Sequence, residues 1–298
     1  MFEQLHQQLV VGLHGYQLTQ GEKDWLKQYP PLGIILFQRN VQNKQQLAAL
    51  IEDARQCAGR ELWCAIDEEG GRVNRISWSP FNRRNPVAEY ALSFRKDEKA
   101  TVEHVYQDSF TIGQAMHSIG FSHNCAPVLD IFHPSGHKII GNRAYGDHVH
   151  IINSLGLACM RGLEDAGISA IGKHFPGHGR ADADSHLAVP SVDADLNTLY
   201  AEAEPFEHMI QKGIGHLMTA HVRYPSACTE VATLSSFWMK DVLRDKMAFK
   251  GLIWTDDLAM RGVGDNPISA AHAAQKAGCD VLLMCGPIGE WSHSAGIV

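Results

Sequence analysis

No apolar run in the 298-residue chain approaches a membrane span: stretches such as Gly33-Ile34-Ile35-Leu36-Phe37 and Val281-Leu282-Leu283-Met284-Cys285 are short, where about 20 residues are needed. No basic run stands out, and 26 Lys plus Arg against 33 Asp plus Glu leave a formal charge of −7. That balance disfavours a nucleic-acid partner. The seven cysteines form no CxxC pair and are odd in number, which suits reduced thiols better than a disulfide framework. The stretch from Met1 to Gly15 has no basic leader before its brief apolar run, so it does not read as a signal peptide and a cytoplasmic location is expected. No linker-like or low-complexity segment divides the chain, so residues 1–298 are expected to form one domain, and nothing suggests an assembly beyond the monomer. Histidine is what the chain has in quantity, 17 residues, and it has to be explained site by site.

Short apolar runs alternate with amphipathic, charge-bearing segments. Strands are expected at Leu9–Leu13, Gly33–Phe37, Leu62–Ile66, Phe121–Ala126, Ser169–Gly172, Ile214–Thr219, Gly251–Thr255 and Asp280–Met284. Helices are expected near 20–28, 44–58, 101–118, 149–166, 195–212, 235–248 and 266–277. Strand and helix in strict alternation argue for parallel βα units, and this many of them for an α/β chain closed into a (β/α)8 TIM-type barrel. A doubly wound open sheet is the competing architecture, but no GxGxxG or GxxxxGK[ST] motif follows the first strand. A barrel places its active site on the loops at the C-terminal ends of the strands.

Reactive residues gather at those places. After the third strand come Asp67-Glu68-Glu69-Gly70-Gly71-Arg72 and, shortly after, Arg75. Neighbouring carboxylates raise one another's pKa unless cations compensate them, and Arg72 and Arg75 are at hand. The segment is a binding loop whose glycine pair admits a ligand close to the backbone, or else a solvated charged turn. Arg143, among small residues after the fourth strand, serves structure as readily as function. The fifth strand leads into Lys173-His174-Phe175-Pro176-Gly177-His178-Gly179 and on to Asp184-Ser185-His186. His174 and His178 have the spacing of a helical zinc pair, but Pro176 and Gly177 exclude the helix. The alternative is Asp184 orienting His186 for proton transfer, and a plain polar loop also remains open. The seventh strand delivers Asp256 to the barrel mouth, where a nucleophile or base belongs; Asp256 or Asp257 could equally cap the next helix, a role that suits Asp257 better.

The His-rich loop with Asp184-Ser185-His186, the Asp67 to Arg72 segment and the stretch from Val242 to Asp256 resemble family-three glycoside hydrolases, and more narrowly bacterial β-N-acetylglucosaminidases of peptidoglycan recycling. The resemblance runs from Leu9 to Cys285, with Glu68 standing where Gln is common and a bulky Trp254 before Thr255-Asp256. It implies a retaining exo-glycosidase without a cofactor or metal. Asp256 would be the nucleophile and His186, oriented by Asp184, the general acid/base. Asp67, Arg75, Arg143, Lys173 and His174 would hold a terminal N-acetylglucosamine, with His178 behind them. Lys173 and His174 are consecutive, so both can face a sugar only from an irregular backbone. The partner is then a small-molecule substrate, a muropeptide or a chitobiose-like sugar. Two further readings compete: a phosphorylase that sends phosphate to the glycosyl-enzyme, and a metal-dependent barrel hydrolase. His123, His133 and His137 have no motif around them and are read as surface or packing residues. Between the eighth strand and Val298, Pro287, Gly289 and Gly296 leave room for at most a short closing helix. The backs of the first and eighth strands are therefore expected to be poorly covered, with the N-terminal helix or a partner compensating or the stability lowered.

Overall fold

The computed structural model describes residues 5–183, 189–264 and 266–294. Strands β1 (Leu9–Gly12), β2 (Gly33–Leu36), β3 (Trp63–Ile66), β4 (His123–Asn124), β5 (Ser169–Phe175), β6 (His216–Thr219), β7 (Leu252–Trp254) and β8 (Leu282–Pro287) follow one another in the expected order. Every neighbouring pair is parallel, and β1 joins both β2 and β8. A parallel bridge between Trp254 and Val281 joins β7 to β8, and Thr255 N–H donates to Val281 O at 2.9 Å. The sheet is thus closed, which excludes the doubly wound alternative.

Alternation along the strands divides the core in two. Val10, Ile35, Ala65, Cys125, Ile171 and Met218 pack inside the barrel, while Leu9, Val11, Ile34, Leu36, Ile66 and Leu217 pack outward under the helices. Parallel strands covered on both faces need both sets apolar. Helix starts follow the local chemistry. At Gln20–Gln28, Thr19 and Glu22 form a capping box, and Asn43 and Asp97 cap Lys44–Ala58 and Glu98–His117 through their side chains, filling donors that the first turn leaves open.

Several expectations are corrected. The fourth strand is only His123–Asn124, because the chain leaves the ladder before Pro127. The fifth extends through Phe175, past the expected end at Gly172. The helix expected over 195–212 is two, Leu196–Glu202 and Glu204–Gln211, with Pro205 in the first turn of the second, where its missing N–H costs nothing. The segment near 235–248 winds as a π-helix, Phe237–Lys246, and a helix at Ala88–Phe94 was not anticipated. Helices Val149–Asp165 and Pro267–Ala277 lie where the sequence placed them.

A short closing helix, Ile288–Ser294, follows β8. It does not leave the strand backs bare: Leu9, Val11, Leu282 and Met284 are all fully buried. Trp291 of that helix meets Trp25 of Gln20–Gln28 edge to face at 5.7 Å, so two indoles seal the seam the sequence left in question. Inside the barrel below the functional loops, Trp63, His123 and His216, each the first residue of its strand, meet Trp254 in a floor of rings. The two indoles stack at 5.9 Å, the imidazoles meet at 5.0 Å, and Trp254 Nε1 donates to His216 Nδ1 at 3.0 Å. The bulky Trp254 is fully buried there.

Candidate active site

At the C-terminal mouth a cavity of about 250 Å³ is lined by Asp67, Arg75, Arg143, Lys173, His174 and Asp256, among others. All five residues expected to hold a sugar therefore meet the expected nucleophile in one place. They come from four places along the barrel: Asp67 and Arg75 follow β3, Arg143 closes the 3-10 turn Gly141–Arg143, Lys173 and His174 lie in β5, and Asp256 follows β7. The Lys173-His174 peptide is cis, and both consecutive side chains line the cavity. Asp184 and His186 lie outside the described residues.

The polar wall is an ion-pair network. Lys173 Nζ lies 2.7 Å from Asp67 Oδ1 and 2.5 Å from Glu69 Oε1. Arg143 grips Glu69 in the bidentate manner, Nε to Oε2 and Nη2 to Oε1, both at 2.8 Å. Arg75 Nη2 approaches Asp67 Oδ2 at 3.5 Å. Burial would raise both carboxyl pKa values, but Lys173 and Arg75 hold Asp67 below the usual range, and Arg143 and Lys173 hold Glu69 well below it. The cations on Glu69 thus come from distant loops, whereas the sequence suggested Arg72 and Arg75. Arg72 reaches instead to Asn142 Oδ1 and to the carbonyls of Lys138, Ile139 and Ile140. Nor does the glycine pair serve a ligand. Gly70 and Gly71 have φ of 95° and 57°, and a Cβ on Gly71 would stand 2.8 Å from Pro86 Cα, so the turn packs on its own neighbour.

The His174 ring is held on two sides. Its Nδ1 lies 2.6 Å from Asp130 Oδ2, and Arg143 Nη2 lies 3.4 Å from its Nε2. A guanidinium only donates, so Nε2 is the acceptor and the proton sits on Nδ1, facing Asp130. Asp130, fully buried, also accepts from His178 N–H at 2.7 Å. Burial opposes its charge, but the hydrogen bonds from the His174 ring and from the His178 N–H lower its pKa. The zinc-pair spacing of His174 and His178 is not realised, since β5 carries the first ring and both of its nitrogens face other partners. His178 itself lines the cavity rather than standing behind it, and burial lowers its pKa to about 4, leaving a neutral ring.

Asp256 is half-buried, and its Oδ1 accepts from Asp257 N–H at 2.8 Å. Burial would raise its pKa, yet that N–H and the Lys173 ammonium help to lower it, so it is a carboxylate at neutral pH. Asp257 plays the local role: its Oδ1 accepts from the N–H groups of Ala259 and Cys285 at 3.0 and 2.9 Å.

Sequence reasoning missed Glu69, Asp130 and His221. His221 is fully buried; its Nε2 lies 2.9 Å from Asp257 O and its Nδ1 2.7 Å from Thr233 Oγ1. A carbonyl only accepts, so Nε2 carries the proton and Nδ1 takes the threonine hydroxyl's. Burial lowers the pKa of His221 and keeps it neutral. It pins the main chain next to Asp256 without lining the cavity. His221→Ala is expected to lower kcat about tenfold, the worth of one buried hydrogen bond, with KM little changed. His221→Gln should recover most of the loss in steady-state assays, because its amide N–H can reach the same carbonyl. Of the unassigned histidines, His123 lies in the barrel floor, His133 Nε2 meets Glu202 at 2.9 Å, and His137 Nδ1 accepts from Ile139 N–H.

Residues 2–291 match the glycosyl hydrolase family 3 N-terminal domain. The chain is 37% identical over 282 residues to the β-hexosaminidase of Psychromonas ingrahamii, covering 93% of this chain and 82% of that one. The β-hexosaminidase of Vibrio cholerae is likewise 37% identical, over 280 residues. Among solved structures, NagZ from Neisseria gonorrhoeae in complex with N-trifluoroacetyl-D-glucosamine superposes with a TM-score of 0.89 at 34% identity, covering 98% of this chain and 85% of that one. Matched across nearly its whole length, the chain belongs to glycosyl hydrolase family 3 and is a glycoside hydrolase.

Proposed function

We propose that this family-three enzyme is a retaining exo-β-N-acetylglucosaminidase that releases N-acetylglucosamine from N-acetylglucosaminyl-1,6-anhydromuramyl peptides. The observation that carries the reading is the meeting of Asp256 with Asp67, Arg75, Arg143, Lys173 and His174 around one cavity of about 250 Å³. That is below the about 300–1,000 Å³ of sites for larger ligands and suits a single sugar ring. The likeness to a relative that holds an N-acylated glucosamine supports the same identity for the ring. A wider recess of about 700 Å³ shares Asp67, Arg75 and Asp256 with the cavity and adds Phe37, Arg39 and Met260. The leaving group occupies that recess, which gives a larger aglycone its space.

The ionised groups of the wall hydrogen-bond the ring hydroxyls, with Arg143 and Lys173 as donors and Asp67 as acceptor. Asp256 attacks the anomeric carbon and the glycosidic C–O bond breaks, while His186, oriented by Asp184, gives its proton to the departing oxygen. A glycosyl ester on Asp256 results. In the second half, His186 takes a proton from water as the water attacks the same carbon, and Asp256 leaves as a carboxylate. An imidazole in the acid/base role carries no negative charge once deprotonated, so it does not repel an anionic aglycone such as one bearing a lactyl carboxylate.

Trapping the enzyme with a fluorinated N-acetylglucosaminyl donor and sequencing the labelled peptide tests the mechanism. The label is expected on Asp256, and a label elsewhere would reject the assignment. In parallel, hydrolysis of the natural disaccharide should proceed at the same rate with and without phosphate, and should give the free sugar, not its 1-phosphate. Acceleration by phosphate would transfer the same residues to a phosphorylase.

A further inference from the structure

Glu68 stands between two residues that line the cavity, Asp67 and Glu69, but does not line it. Its side chain is fully buried. Oε2 accepts the backbone N–H of Arg75 at 2.9 Å and that of Ile76 at 3.3 Å, folding the loop back on itself so that Arg75 faces the cavity. Oε1 is buried without a hydrogen-bond partner among the described residues, and so is Nε of Arg75. An unfilled acceptor and an unfilled donor thus belong to two residues already joined by a hydrogen bond. The only ion pair of Arg75 among the described residues is the 3.5 Å contact of Nη2 with Asp67. Buried unpaired polar atoms of this kind are uncommon and costly.

The groups around Glu68 are few. Its own loop supplies Arg75. Asn124 of β4 exchanges hydrogen bonds with its main chain, accepting from Glu68 N–H and donating to Glu68 O, both at 3.0 Å. Arg84, ahead of helix Ala88–Phe94, donates to the same carbonyl at 2.9 Å and pairs with Asp108 of Glu98–His117 at 3.0 Å. Among the described residues no charged side chain is bonded to the Glu68 carboxyl itself. Burial, opposed by the Arg75 N–H, by Arg84 and by the Ile76 N–H, pushes its pKa up to about 7. Because Oε2 already accepts two N–H groups, the proton of the neutral form belongs on Oε1. The ionised form leaves Oε1 bare and charged, and turning the Arg75 guanidinium back onto it would fill both empty positions with a charge-assisted bond. The neutral form gains nothing from that turn.

We propose that Glu68 is a positioning residue whose proton decides whether the Arg75 guanidinium stays at Asp67 in the cavity or turns back into the loop. The inference rests on the reading of Arg75 as a sugar contact. It makes sugar binding strongest in the protonated state of Glu68 and weaker above neutrality.

The test is the calorimetric Kd for N-acetylglucosamine between pH 5.5 and 8.5, in the wild type, Glu68→Gln, Arg75→Ala and the double variant. In the wild type Kd is expected to rise about tenfold through an inflection near pH 7, on the scale of one pKa unit of coupling. Glu68→Gln should keep the low-pH Kd throughout, and in the Arg75→Ala background it should change nothing. An inflection surviving in Glu68→Gln, or one of full size in Arg75→Ala, overturns the proposal and leaves the sugar contact standing. An Arg75→Ala variant with wild-type Kd at every pH overturns the sugar contact and the proposal together. A measurement without variants keeps the question decidable if Glu68→Gln does not fold. Carbon-detected NMR of the glutamate-labelled wild type should show a carboxyl with a midpoint near 7 that moves upward when N-acetylglucosamine saturates the site, by the reciprocity of linked equilibria. A midpoint unmoved by the sugar refutes the coupling.

Discussion

Asp256→Ala is expected to lower kcat by about 10⁴- to 10⁶-fold, the range seen when a covalent nucleophile is removed. The carboxylate is ionised at neutral pH, lies at the cavity and accepts its neighbour's N–H at 2.8 Å. Among the described residues no side chain hydrogen-bonds to it, so the variant should fold and bind sugar nearly as the wild type does. What it loses is the covalent partner of the anomeric carbon. Azide is small enough to enter the space vacated by the carboxylate, and adding it should restore part of the rate with an activated aryl glycoside, giving a glycosyl azide of inverted configuration. A loss below tenfold, with sugar binding intact, would show that another group makes the bond.

Lys173→Met should have the largest effect on stability. The ammonium is 2% exposed and binds two carboxylates. Methionine fills the same volume but leaves Glu69 to Arg143 alone and Asp67 to the more distant Arg75. Removing one partner of a buried ion pair costs about 3–5 kcal/mol, and urea unfolding at pH 7 should show a loss of that order. Its pH dependence has a definite sign. Asp67 and Glu69 have folded pKa values below their ordinary 3.8 and 4.5. Their contribution is complete above those values and is lost as pH falls through the lower folded ones. Lys173 is raised above its ordinary 10.5, so its part is complete below that and is lost only in strong alkali. The gap between wild type and variant should therefore be constant from about pH 5 to 10 and should narrow on acidification. A gap unchanged at pH 3 would mean that methionine acts through packing, not charge.

Much of this was legible in the chain. Strand and helix alternation identified the barrel because both faces of a parallel strand are apolar and the intervening helices are amphipathic. Asp67 and Asp256 were legible as polar residues at the ends of apolar strands, and Lys173-His174 by the proline and glycine that follow. What stayed hidden was pairing at a distance. Glu69 looked like one of three equivalent carboxylates because its cations, Arg143 and Lys173, arrive from other loops. His221 carries no motif, since its partners Thr233 and Asp257 are 12 and 36 residues away. The division of the 195–212 helix was marked by Pro205, whereas nothing in the hydrophobic period distinguished the π-helix at Phe237–Lys246.

The floor of rings under the site bears on catalysis by what it does not do. Burial lowers the pKa of His123 to about 3 and that of His216 to about 4, so across the neutral range both imidazoles are uncharged, as are the indoles of Trp63 and Trp254. At neutral pH these four rings therefore place no charge under the site. The charges of Asp256 and of the ion pairs at the mouth meet no opposing imidazolium from these rings, and they act on the bound ring, where positive charge develops as the glycosidic bond breaks. Replacing a floor ring with a charged side chain would thus be felt at the anomeric carbon without touching the sugar.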